Sequence, residues 1–92
     1  MKFYYPTVIE KKEDGKWHAA FPDLKKCEAD GTDEFDVLEN ARAAAYSWIE
    51  LEMQEQDPQL PSPTDPKDVK LQKGQQVRMI LVNYGLTEGW DE

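Results

Sequence analysis

The feature that most constrains this chain is a single uninterrupted helical segment. From about Glu34 to Glu55 there is neither proline nor glycine, and apolar residues recur at helical spacing. Asp33 stands immediately before it as the expected N-cap. Its carboxylate can accept from first-turn amides and complements the positive end of the helix dipole. At 100° per residue, Val37, Leu38, Ala41, Ala44, Ala45, Trp48 and Leu51 share one broad face. Phe35, Tyr46, Ile49 and Met53 form a second stripe beside it, and Asp36, Glu39, Asn40, Ser47 and Glu50 look toward water. Such a wide apolar arc leaves two readings open. Either the helix is deeply seated on its own sheet, or the second stripe meets another subunit.

The segments around the helix have strand character. Phe3 to Glu10 is aromatic and β-branched, with Pro6 expected at an edge or at an unpaired side because proline removes a ladder donor. Asp14-Gly15 supplies a turn. Lys16 to Phe21 returns with Trp17, Ala19 and Phe21 on one face and His18 on the other. Cys27 to Gly31 forms a short third strand, with Glu28 and Asp30 facing opposite to Cys27 and Ala29. Three successive antiparallel strands make a meander. After the helix, the four prolines of residues 58–66 impose an extended connection. Gln75 to Val82 is the fourth strand. Met79-Ile80-Leu81-Val82 is apolar on both faces, which predicts a place inside a sheet or between sheets. The expected class is α+β with the order βββαβ. At 92 residues, one domain covers 1–92, with 83–92 as a polar tail containing Trp90.

Charge narrows the function. The chain has 19 acids, 11 bases and a net charge of -8. Residues 28–57 hold ten of the acids and one base, Arg42, for a local charge of -9, and the rest of the chain sums to +1. A surface of that sign repels phosphate backbones, so direct nucleic-acid binding is not expected, whereas a basic protein partner is the natural electrostatic match. Aromatic content argues against disorder. No apolar run is long enough for a bilayer, and the first strand begins too early to leave room for a signal peptide. The single cysteine, Cys27, forms no internal disulfide. A soluble cytoplasmic protein is expected.

Chemistry is not evident. A Cys27–His18 nucleophile pair lacks a group to orient the imidazole. Glu28 and Asp30 share a strand face and could in principle hold magnesium, but no substrate-binding groups accompany them. No zinc spacing, calcium loop or phosphate-cradling glycine loop is present. The expectation is no enzyme, no cofactor and no metal.

Certain residues in order then suggest a family. They are Tyr5-Pro6, the Asp14-Gly15 turn, and Phe21-Pro22-Asp23-Leu24 followed by Cys27. Gly31-Thr32-Asp33 then leads into Leu38-Glu39-Asn40-Ala41, and Leu60-Pro61-Ser62-Pro63 precedes an apolar last strand. From about Phe3 to Val82 this succession resembles the N-terminal domain of HicB-type antitoxins. The chain has Lys25-Lys26 where that family usually has Pro-Gly, and Val37 where it usually has Ala. The residues after Val82 are too few for the C-terminal DNA-binding module that many members carry. The resemblance implies a partial ribonuclease-H-like fold and the neutralisation of a small basic HicA-type ribonuclease toxin by covering its RNA site. The alternative is a stand-alone HicB-like structural or regulatory module with no toxin. Asp36, Glu39 and Glu50 are the expected partner-binding carboxylates. A thin core and surplus apolar surface predict a homodimer or higher oligomer, with Tyr46, Ile49, Ile80 and Val82 as contacts.

Overall fold

The computed structural model describes residues 1–84; Trp90 and the rest of segment 85–92 lie outside it. Its elements are β1 (Lys2–Lys11), β2 (Trp17–Ala20), β3 (Glu28–Gly31), α1 (Glu34–Met53), a short 3-10 turn at Pro66–Asp68, and β4 (Gln75–Asn83). The expected α+β order βββαβ is the observed one.

All pairings are antiparallel, and the sheet order is β3-β2-β1-β4. The first three strands form the meander. The Asp14-Gly15 turn closes its first hairpin: Gly15 has φ +89°, and the Asp14 carboxylate accepts from Lys16 N at 2.9 Å. The last strand crosses to the far side of β1, so β1 is central rather than an edge. Pro6 is accommodated because β2 pairs with β1 only from Val8 to Lys11, whereas β4 runs beside it from Lys2 to Glu10. Pro6 therefore sits beyond the end of β2, at a place where no partner asks for its missing N–H.

One sheet face carries the core. Tyr5, Ile9, Ala19, Ile80 and Val82 point from the strands toward α1, which answers with Val37, Ala41, Ala45 and Ile49. These four follow i, i+4 spacing, and the two alanines let the helix axis approach the sheet closely. Phe21, Leu24 and Cys27 close one end of this layer. The helix begins as expected, with the Asp33 carboxylate accepting from Asp36 N at 2.8 Å. Its entry is tight: a Cβ on Gly31 would lie 2.4 Å from Val37 N. The proline-rich return is tied down at two points. Tyr5 donates to Pro61 O at 2.6 Å, and Thr64 donates to the Asp23 carboxylate through both its backbone N and its hydroxyl.

Two expectations need correction. Ile49, Ile80 and Val82 are buried in the chain's own core, so of the four residues assigned to an oligomer contact only Tyr46 reaches the surface. The helix is rotated from the phase in which Leu51 faces inward: Ile49 is 0% exposed, whereas Leu51 is 65% exposed. The second correction concerns β4, which is an outer strand and not a central one. Its residues alternate between the core and a face that α1 does not cover. No helix among the described residues is long and apolar enough to cross a membrane.

Candidate functional site

The acidic helix face is built in layers. Asp36 belongs to the helix start: its carboxylate accepts from Thr32 N at 2.9 Å and from the Thr32 hydroxyl at 3.3 Å. With Asp33 accepting from Asp36 N, this forms a reciprocal cap in which both carboxylates satisfy otherwise orphaned donors. Asp36 is thus occupied locally and is not a free docking charge. Glu39 pairs with Arg42 one turn on, on the same helix surface. Glu34 pairs with Arg78 of β4 at 3.1 Å. Glu50 has no ion-pair partner among the described residues. The structure therefore spreads the three expected carboxylates over three situations and leaves Glu50 the most available.

Beside them lies exposed apolar surface. Phe35 is 75% exposed on the first turn, and Tyr46 packs its ring against Tyr84 with centroids 5.5 Å apart. The outward helix surface thus mixes aromatic and acidic groups.

The groups once considered for chemistry stand elsewhere. His18 projects from the sheet face away from α1, between two carboxylates of β3. Its Nδ1 is 2.9 Å from Asp30 and its Nε2 is 3.2 Å from Glu28. The carboxylates flank the ring from opposite sides instead of converging, so the trio ties β2 to β3 and offers no shared metal position. Cys27 is buried on the other face. Burial, with help from the Glu28 charge, pushes its thiol up to about 11, so the sulfur stays protonated and poorly nucleophilic near neutrality. Burial also raises the Tyr5 hydroxyl, with Asp23 adding to the effect.

Sequence reasoning missed the two arginines, the only two in the chain. Arg42 Nε donates to Leu81 O at 3.2 Å, and Arg78 Nη1 donates to Val77 O at 3.2 Å. Both acceptors belong to the outer side of β4. Their guanidinium forks can serve a carboxylate and a backbone carbonyl at once, which a lysine does less well. That choice of Arg in a chain otherwise using Lys was the available signal.

A four-stranded antiparallel sheet with one helix on a single face defines a small α+β domain. The chain belongs to the HicB-like antitoxin family: the family described as "HicB_like antitoxin of bacterial toxin-antitoxin system" matches residues 5–84. Among solved structures, it is similar to the N-terminal domain of Burkholderia pseudomallei antitoxin HicB. That match has TM-score 0.72 at 16% identity, covering 91% of this chain and 100% of that one. A chain of a toxin–antitoxin complex from Streptococcus pneumoniae is similar at TM-score 0.68 and 20% identity, covering 90% of this chain and 70% of that one. No curated protein matches.

Proposed function

We propose that this protein is an antitoxin that neutralises a small basic HicA-type ribonuclease toxin by occupying its RNA-binding surface, acting by binding rather than by catalysis and in the cytoplasm. The family match over residues 5–84 carries this reading. The charge distribution supports it, since a local charge of -9 across residues 28–57 suits a basic nuclease surface that otherwise holds RNA phosphates.

The docking surface proposed is the exposed side of α1, with Glu50 and Glu39 as its charges and Phe35 and Tyr46 as its apolar anchors. Asp36 contributes through the helix start and not as a contact. Aromatic anchors carry more interface energy than rim charges, while the charges mainly accelerate encounter.

The test is co-expression with a small basic HicA-type ribonuclease, followed by an RNA-cleavage assay. Wild type should abolish cleavage. The double variant Glu39→Lys/Glu50→Lys should associate more slowly, with a flattened salt dependence, while its circular dichroism is unchanged. Cleavage unaffected by wild-type protein would refute the antitoxin reading. Full neutralisation by the double variant at low salt would refute this docking face alone.

A further inference from the structure

A notch interrupts the sheet beside the first half of β1. β2 pairs with β1 only from Val8 to Lys11, so Lys2–Pro6 has β4 on one side and no strand on the other. The proline-rich return takes that side instead: Thr64 is bound to Asp23, just past β2, and Tyr5 donates to Pro61 O. Between residues 2–5 of β1 and Pro61-Ser62-Pro63 lies an open groove of about 380 Å³. Aromatic rings and pyrrolidines make up most of its walls, with Lys2 and Ser62 as exposed polar members.

The strand backbone facing this groove is unpaired. Met1 and Tyr84 exchange both backbone bonds, each at 2.8 Å, which sets the alternation along β1. Phe3 and Tyr5 then bond to β4, whereas Lys2 and Tyr4 turn N–H and C=O toward the groove. Among the described residues no backbone group bonds to them there. Nor does the Lys2 side chain have a carboxylate partner among those residues. Tyr4 is 52% exposed. A strip of open strand edge flanked by apolar rings is a surface that folded chains cover.

We propose that residues 85–92 of this chain are the cover, turning back around Met1 and seating the Trp90 indole in the groove. Position favours this occupant. Tyr84 is bonded to Met1, so the chain leaves the described residues beside Lys2. Residues 85–89 reach at most about 17 Å, and β1 is only about 5 Å across in the plane of the sheet, so Trp90 can arrive at its far side. Gly85 accepts the positive φ values of a tight reversal without steric cost. Chemistry favours it as well. The indole is apolar enough for the ring-lined walls, and its N–H has acceptors in the free carbonyls of Lys2 and Tyr4. Charge selects the same surface: Glu88, Asp91 and Glu92 give residues 85–92 three acids and no base. They are repelled by the acidic helix and attracted to Lys2. This inference does not depend on the toxin reading.

Nuclear magnetic resonance on the full isotope-labelled chain tests it. Nuclear Overhauser contacts are expected from the Trp90 indole to the Tyr4 ring and to Pro61 or Pro63, unchanged on dilution, with slow exchange of the Lys2 and Tyr4 amides. Trp90→Ala should speed exchange of those two amides by about tenfold or more, as for loss of a local closure, and leave the β2–β3 amides unchanged. Lys2→Glu should weaken the same protection, most at low salt. The wild-type contacts decide the matter if a variant does not fold. An indole with no contact to the groove, or seated on another surface, overturns the proposal. So do contacts seen only between differently labelled copies, which would make the occupant a second molecule. Lys2 and Tyr4 amides indifferent to a folded Trp90→Ala variant overturn it too.

Discussion

The two edges of the sheet are protected by opposite means. β3 is short, four residues, and its outer-facing side chains are the carboxylates Glu28 and Asp30, held by His18. β4 is nine residues long, carries no acid, and exposes Met79, with two arginine side chains over its carbonyls. Shortness and charge discourage strand addition permanently, whereas an arginine on an exposed carbonyl is a hydrogen bond worth little and easily exchanged. A single small sheet can therefore close one edge and keep the other usable. The difference also shows where each strand gets its stability: β4 through apolar residues under the helix, β3 through a close-fitting helix entry and the His18 contacts to its carboxylates.

Three substitutions sharpen that contrast. The largest effect is expected for Ile80→Ala, which empties a buried site on β4; core truncations of this kind cost about 2–5 kcal/mol. Urea titration of the variant measures it, and a loss no greater than that of a surface substitution would mean that β4 is not anchored by its core residues. Next comes Gly31→Ala at the end of β3. Its added methyl meets the backbone of Val37, so the helix entry must shift, at about 1–3 kcal/mol by the usual scale of overpacking. An unchanged denaturation midpoint would show that the β3–α1 junction has slack. The smallest is His18→Ala, which removes both carboxylate contacts of the imidazole on β3 and is expected to cost only about 0.2–1 kcal/mol. Thermal melts at low and high salt, run in acidic buffer so that the imidazole is protonated, check it: the wild-type advantage should shrink as salt rises.

Much of this fold is written locally. Asp33 as cap, Asp14-Gly15 as turn, the alternation of Trp17, His18 and Ala19, and the proline-rich return each depend on a few adjacent residues, and each is found where its chemistry places it. The failures are all non-local. Ile49 and Leu51 lie on opposite flanks of the wide apolar arc, and the periodicity cannot choose between them until a sheet exists to face. The apolar run Met79 to Val82 reads as central because both its faces are apolar, yet the crossover places it outside β1. Arg42 and Leu81 are 39 positions apart, so their bond follows from topology alone. The family resemblance also marked one local departure with a structural outcome. Lys26 takes φ +64°, a left-handed conformation suited to glycine, at the place where related chains carry Pro-Gly. The acidic segment was legible as charge, but not the local capture of Asp36 or the pairing of Glu39.

Cys27 gives the molecule a clock of its own. It is the chain's one thiol, sealed between β3 and the helix layer and kept protonated at ordinary pH. A thiol reagent cannot reach it until that layer parts, so the pace of labelling reports how often the domain breathes there and not how reactive the sulfur is. When the reagent is dilute, the rate follows the equilibrium population of the opened form; when it is abundant, the rate becomes that of opening itself. The lone cysteine thus turns the buried seam beside the closed edge into a place where local opening can be timed without adding any label site.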